Sequence, residues 1–452
     1  MSMVEKILAN LEKSNCATDN TFLQAVSEVL SSLEPIIKSD PRYEQFAILE
    51  RLVTPDRIIQ FKVQWLDDQN RVRINNGYRI QFNNALGPYK GGLRFHPSVT
   101  TGVLKFLAFE QIFKNSLTGL PLGGAKGGSD FDPKGKSDFE IMKFCHAFMR
   151  ELHPYIGARV DVPAGDIGVG SREIGYLFGE YKHITRNYDG VLSGKPYAFG
   201  GSLMRPQATG YGAVYFAREM LFQELQESLE GKVCTVSGAG NVAIHTIEKL
   251  QQLGAIVVTC SDSDGTVYDP KGINLSIVRE LKESGRRRSL SEYTQWVLEA
   301  VYTPKTEYPE NAHAVWQIPC FAAFPCATQN ELTFSDAQKL IQNGCVAVVE
   351  GANMPTLPDA IELLQQEGIL FAPGKASNAG GVAVSEFEMS QNASMEKWDF
   401  DKVDRKLDEL MRQIYKRVAL TAKEYGVERN FVDGANIAAF KRVAEAMLLE
   451  GV

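Results

Sequence analysis

The sequence predicts an α/β chain in two domains, the second built on a parallel, doubly wound sheet. Three observations carry that reading. The chain has 452 residues, about three times the ~150 residues typical of one domain. Before residue 85, two stretches alternate apolar with polar residues, the period-2 signature of a half-buried strand. From residue 211 onward, short apolar runs alternate with helical stripes, and strands alternating with helices imply parallel pairing.

The elements follow in order. Phe22, Val26, Val29, Leu30, Leu33, Ile36 and Ile37 recur at helical spacing, and Pro41 marks a break. Ile59, Phe61, Val63 and Trp65 then alternate with Gln60, Lys62 and Gln64, as Tyr78, Ile80 and Phe82 do with Arg79 and Gln81. Between 87 and 210 glycine is dense, grouped at 91–92, 123–124, 127–128, 165–170 and 200–201. Lys, Arg, Asp and aromatic residues interleave with it, which suits backbone packed close to a ligand better than a flexible linker, although ordinary turns have the same spelling. A helical stripe through Val214, Ala217, Leu221 and Leu225 is expected to stop at Gly231. Strands are expected at 233–236, 256–260, 345–349 and 369–371, with helices from 241 to 253 and through 361–364. Val403 to Val418 and Ile437 to Leu448 mark two late helices.

Composition narrows the function. Forty-eight basic against 55 acidic side chains give a net charge of −7, which argues against bulk nucleic-acid binding. Seven scattered cysteines without a C-x-x-C pair make a disulfide framework or structural zinc unlike this chain. The six histidines show no metal-ligand spacing, so no metal is expected. Met1 to Asn15 lacks the character of a leader, and no run approaches the ~20 apolar residues of a membrane helix. A reduced, cytoplasmic protein is the expectation.

Gly238-Ala239-Gly240-Asn241-Val242-Ala243 matches G-x-G-x-x-G/A between an expected strand and an expected helix. The first glycine makes the tight turn, the second lets a pyrophosphate approach the backbone, and Ala243 lets helix pack on strand. The helix N-terminus offers free N–H groups and a positive dipole end to the phosphates. Asp262 follows the second strand, near where an acid meets the adenosine ribose in such folds. The context points to a Rossmann-like dinucleotide site, although a purely structural turn has the same spelling.

Pro121-Leu122-Gly123-Gly124-Ala125-Lys126-Gly127-Gly128 places a lysine among residues with no bulk. Backbone and substrate can close around such a lysine, and desolvation then lowers its pKa toward neutrality; a flexible exposed turn fits the spelling equally. Asp161 and Asp166 flank Pro163 in a glycine-rich segment, which suits a positioned proton carrier or a pair of turn-forming aspartates. Lys90 and Lys114 lie upstream, and lysines near glycine-rich backbone suggest an anionic substrate with more than one carboxylate.

With these motifs assembled, the sequence resembles the short, homohexameric glutamate dehydrogenases of the Glu/Leu/Phe/Val dehydrogenase superfamily. The likeness runs from about Gln81 to the C-terminus and includes 88–95, 106–118, 121–135, 161–170, 200–212, 325–332, 350–355 and 378–388. It implies reversible oxidative deamination of L-glutamate to 2-oxoglutarate and ammonium with NADP or NAD. Lys126 becomes the catalytic lysine and Asp166 the proton-shuttling carboxylate. Lys90 and Ser385 would hold the side-chain carboxylate, and Gln111 and Lys114 the α-carboxylate. Thr209 and Asn353 would contact the nicotinamide end, while Gly238, Gly240, Asn241, Val242, Asp262 and Ser263 complete the cofactor site. The implied substrate and oligomerisation domain, with a mixed sheet, covers 1–199 and is joined by a C-terminal helix at 426–452. The implied dinucleotide domain covers 200–425. Ser261-Asp262-Ser263 resembles NADP-linked members, and Arg286, Arg287 and Arg288 could add charge, whereas Asp262 and Asp264 would repel a 2′-phosphate they faced. NADP is the expected cofactor, with NAD or dual use as the alternative. A dehydrogenase of branched-chain or aromatic amino acids, or a non-catalytic nucleotide sensor, are rival readings that Lys90, Ser385, Lys126 and Asp166 oppose.

Overall fold

The computed structural model describes residues 3–13, 20–283 and 288–451. Its contacts divide the chain into two units, Met1–Arg205 with Val382–Val403 and Asn436–Val452, and Pro206–Gly381 with Asp404–Ala435. The first crossing thus falls at 205/206 where 199/200 was expected. Residues 382–403 return to the first unit, and the final segment joins it from Asn436 rather than 426. The return has a physical anchor: Glu388, on the helix Gly380–Ser394, accepts hydrogen bonds from the backbone of Gly194 and Lys195.

The first unit is built on a five-stranded mixed sheet. Its strands are β1 (Arg57–Leu66), β2 (Val72–Asn83), β3 (Tyr89–Phe95), β4 (Gly124–Ser129) and β5 (Asp161–Gly165), in the order β1-β2-β4-β3-β5. β1, β2 and β4 pair antiparallel, and β3 pairs parallel with β4 and β5. The alternating residues of 59–65 and 78–82 therefore do form strands. The glycine-rich stretches at 91–92, 124–128 and 161–165 are strands too, rather than loops or turns. Glycine serves close approach there: a Cβ on Gly91 would lie 1.6 Å from the carbonyl oxygen of Ala125 on the neighbouring strand.

Strand alternation sorts the two faces of β3. Leu93 and Phe95 enter an aromatic core with Trp65, Phe131, Phe144 and Phe148, under the helices Asp138–Leu152 and Ser171–Thr185. Phe131 and Phe144 stack at 3.8 Å between ring centroids. Lys90, Gly92 and Arg94 have the opposite parity. On another packing surface, the helix Thr101–Thr118 covers β2 and β4 with Phe109, Ile112 and Phe113, and Phe22 meets Phe109 edge-on. The N-terminal apolar stripe is buried as expected apart from the half-buried Ile37. Its helix ends at Ser32, and a short turn at Glu34–Ile37 follows around Pro35.

The second unit holds a five-stranded, all-parallel sheet ordered β13-β12-β11-β6-β7. Its strands are β6 (Val233–Val236), β7 (Ile256–Val257), β11 (Ala322–Phe324), β12 (Ala347–Val349) and β13 (Leu370–Ala372). The strand expected at 256–260 splits at Val258. Its second part, β8 (Thr259–Ser261), joins β9 (Gly265–Tyr268) and β10 (Val301–Pro304) in a separate antiparallel sheet. The helix Ala208–Leu225 stops short of Gly231, because Gln226 takes a left-handed cap with φ of 58°. The strand order reverses between β6 and β11, and such switch points are where open α/β sheets bind ligands beyond the carboxyl ends of their strands.

Candidate functional site

In the first unit, β3, β4, the end of β5 and the helix Thr101–Thr118 carry Lys90, Lys126, Asp166, Gln111 and Lys114, of which Lys126, Asp166 and Lys114 feel one another's charge. Lys126 Nζ lies 3.1 Å from Asp166 Oδ2, and Arg94 Nε donates to the same oxygen at 2.7 Å. The approach depends on Gly92, where a Cβ would sit 2.9 Å from Asp166 Cβ. Lys90, 1% exposed, donates to Ser193 Oγ at 2.8 Å. Gln111 donates to Asn115, whose amide in turn donates to the carbonyls of Lys90 and Gly123. Lys114 lies one helical turn beyond Gln111 and is half-buried. Ser385 is buried on the same helix as Glu388, which forms a 2.7 Å ion pair with the equally buried Lys195. Glu388 thereby fixes the turn bearing Ser193. Asp161 is not part of the proton-carrying group: it pairs with Arg79 in a fully buried ion pair.

Burial sets the electrostatics. Desolvation lowers the Lys126 amine below its ordinary value, with Asp166 pulling it back up and Arg94 pushing it further down. Lys114 falls to about 8 through burial and the charge of Lys126. Lys90 is driven well down by burial, then by Arg79 and Arg205. Burial would raise Asp166, but Lys126 and Arg94 outweigh it and hold the carboxyl below its usual range. Amines softened by burial beside a carboxylate held ionised can exchange protons, while the remaining cations can hold a dianion.

The second unit carries the glycine turn. Gly238 has φ of +87° and donates its N–H to Ser261 Oγ at 2.8 Å; a Cβ there would crowd Ala243, Cys326 and Ala327. Gly240 caps the helix Asn241–Gln252 without a side-chain hydrogen bond, and a Cβ on it would meet open space. Free N–H groups facing open space suit a pyrophosphate. Asn241 donates to the Pro206 carbonyl at 2.7 Å, tying the residue just before the N-cap of the helix that carries Thr209 to this one. The half-buried Val242 packs near the loop after β12, and in that loop Asn353 accepts from Asn378 at 3.0 Å.

The turn after β8 departs from the expected form. Asp262 accepts from the backbone of Asp264, Gly265 and Leu290, and from Lys282 Nζ at 2.5 Å. Its charge is therefore matched inside the fold, and burial is outweighed by Lys282 and these N–H groups in keeping it ionised. Ser263 and Asp264 are exposed. Arg286 and Arg287 lie outside the described residues, and Arg288 pairs with Glu292. Sequence reasoning missed Arg94, Ser193, Glu388 and Lys282. Arg94 shares strand parity with Lys90, a relation that shows only once β3 is known to be a strand. Among the described residues no cluster suits a metal ion, and no helix is long and apolar enough to cross a membrane.

A buried lysine–carboxylate pair in one unit and a phosphate-ready glycine turn in the other define a nucleotide-dependent dehydrogenase. Residues 200–451 match the Glutamate/Leucine/Phenylalanine/Valine dehydrogenase family, and residues 55–183 match its dimerisation domain. The chain belongs to that family. It is 59% identical to an NADP-specific glutamate dehydrogenase of Helicobacter pylori, over 99% of this chain and 100% of the relative. It is 55% identical to an NAD(P)-specific glutamate dehydrogenase of Xylanibacter ruminicola, over 95% and 96% of the two chains. The crystal structure of a Plasmodium falciparum glutamate dehydrogenase superposes with a TM-score of 0.95 at 49% identity, covering 99% of this chain and 94% of that one.

Proposed function

We propose that this chain is a glutamate dehydrogenase that reversibly deaminates L-glutamate to 2-oxoglutarate and ammonium with NADP. The observation that carries the chemistry is the Lys126–Asp166 contact at 3.1 Å, set among Lys90 and Lys114. Lys90 and Ser385 hold the side-chain carboxylate, and Gln111 and Lys114 the α-carboxylate. Lys126 in its neutral form takes a proton from the water that attacks the substrate imine carbon. Asp166 carries a proton to the departing amine. Such steps are each worth roughly 10²–10⁴ in rate.

The backbone N–H groups after Gly238, together with Gly240, Asn241 and Val242, hold the dinucleotide phosphates, and Thr209 and Asn353 the nicotinamide end. Bound there, the dinucleotide supplies the hydride acceptor. The 2′-phosphate is tolerated because Lys282 matches the charge of Asp262, while Ser263, whose hydroxyl donates to Asp264 at 3.2 Å, is the exposed hydroxyl at the turn. The buried Lys90 cation opposes a branched-chain or aromatic substrate. The test is hydride transfer to NADP and to NAD across a panel of acidic and apolar amino acids. Glutamate with NADP is expected to give the highest kcat/KM, and an apolar amino acid in first place would overturn the reading.

The enzyme is read as a cytoplasmic homohexamer. Ile58, Leu66, Val72 and Ile74 leave apolar surface exposed on β1 and β2, within the segment matching the family's dimerisation domain, which supports self-association. Light scattering that returned a monomer mass would remove that part of the proposal.

A further inference from the structure

Asp166 has two cationic neighbours, yet the proposed reaction uses only one of them. Lys126 and Arg94 both address Oδ2, at 3.1 and 2.7 Å. Arg94 reaches it from β3, four residues beyond Lys90 on the same strand face. Leu93 and Phe95, on either side, are fully buried in the aromatic core and fix the strand that presents the guanidinium. The carboxylate therefore has one oxygen pinned from two directions.

Resting on the proton-carrier reading of Asp166, we propose that Arg94 is a positioning residue that pins Oδ2, so that the carboxylate takes and gives its proton through Oδ1. Three cations bear on this carboxylate from the elements around it: Arg94 from β3, Lys126 from β4, and Lys114 from the helix Thr101–Thr118. The charge of Lys126 itself changes during the cycle, as it takes and returns a proton. Arg94 cannot lose its proton at any working pH and so supplies the constant part of the field. The guanidinium donates through a rigid planar group, so its single hydrogen bond to Oδ2 is more directional than that of a freely rotating ammonium.

The sign is the same for both titrating partners. Arg94 lowers Asp166 and also lowers Lys126. Losing the guanidinium raises both pKa values; Asp166 ionises below the measured range, so it is Lys126, which deamination needs neutral, that moves the acidic limb of activity to higher pH. The shift expected from removing an adjacent charge is about one pH unit or more, or about tenfold in rate on that limb.

The experiment compares Arg94→Gln and Arg94→Lys with the parent, measuring kcat for glutamate deamination from pH 6 to 10 and NADPH affinity by fluorescence. Arg94→Gln is expected to move the limb upward and lower kcat, with NADPH affinity held. Arg94→Lys should restore the limb, since it restores the charge, but only part of kcat, since it lacks the planar donor. An unmoved limb in Arg94→Gln overturns the proposal, as does a limb that Arg94→Lys fails to restore. Asp166→Asn separates the two readings. Full turnover in that variant sinks the proton-carrier assignment itself, whereas a dead Asp166→Asn with an unmoved Arg94→Gln limb sinks only the role of Arg94.

Discussion

Around Lys126 the chain crowds charge onto a largely buried sheet face; around Gly238 it leaves backbone donors and open space. The first region pays for its chemistry in desolvation, and five strands with a covering helix hold it in place. The second needs almost no side chains: a left-handed glycine, a cap without a side-chain acceptor and a small alanine are sufficient. Acid–base work requires functional groups whose pKa values the surroundings must shift, whereas anion binding can be left to the peptide backbone. The two regions should accordingly respond to change in different ways.

Lys126→Ala should sharpen that contrast most. Turnover is expected to fall by at least ~10²-fold, as for loss of a general base, while NADPH affinity measured by fluorescence titration stays near the parent value. Retention of more than about a tenth of the rate would mean that the amine is not the base.

The next effect lies within the lysine cluster. Removing a cation from a buried carboxylate site should cost about 2–5 kcal/mol of transition-state binding. Lys90→Leu with Ser385→Val is thus expected to depress glutamate turnover far more than norvaline or methionine turnover. Equal losses on all three substrates would assign these residues to folding rather than to substrate choice.

At the glycine-turn end, Lys282→Met would leave the Asp262 carboxylate unmatched. A hydrogen bond between charged groups is worth enough that kcat/KM with NADP should drop about tenfold, with NAD less affected. Steady-state assays with both cofactors decide this, and a parallel loss would show that Lys282 merely braces the turn.

The smallest expected effect is in local stability. Burial raises Glu331 and Glu350 from 4.5 to about 7. A carboxyl raised on folding contributes stability below its unfolded pKa and loses it as pH rises to about 7. Lys114 runs the other way: its pKa falls from 10.5 to about 8 on folding, so stability is gained as pH rises from about 8 toward 10.5. Hydrogen exchange, corrected for the chemical rate, should show the segments around 331 and 350 loosening a few-fold from pH 5 to 7. The segment around 114 should tighten from pH 8 to 10. The same trend in both places would contradict the opposed burial effects.

The second unit was the easier to read, because its signals are local. The run 233–236 followed by Gly238 and a helix from Asn241 are the strand, turn and helix start of the structure. In the first unit the alternation at 59–65 and 78–82 was legible, but β3, β4 and β5 were not. Their glycines carry no hydrophobic pattern, and what makes them strands is the neighbour each lies against. The partners Ser193, Glu388 and Lys282 were hidden for the same reason. Lys282 reaches Asp262 across a separation of 20 positions in sequence, and nothing in its own helix points there. Lys126 was visible because the bareness of its surroundings is itself written locally.

Gly91 and Gly92 constrain more than geometry. A side chain on Gly91 would collide with the Ala125 carbonyl, and one on Gly92 with Asp166 and the Gly165 carbonyl. Gly127 and Gly128 leave equally little room against Tyr78, Leu93 and Arg94. On both faces of β3 and β4 these glycines leave little room for a side chain, so substitutions there are expected to be poorly tolerated. A library seeking a new substrate would find its tolerated positions on the covering elements instead, at Gln111, Ser193 and Ser385, where side chains rather than backbone shape the space. The strands hold the chemistry constant, and the helices and turns around them are free to diversify what it acts on.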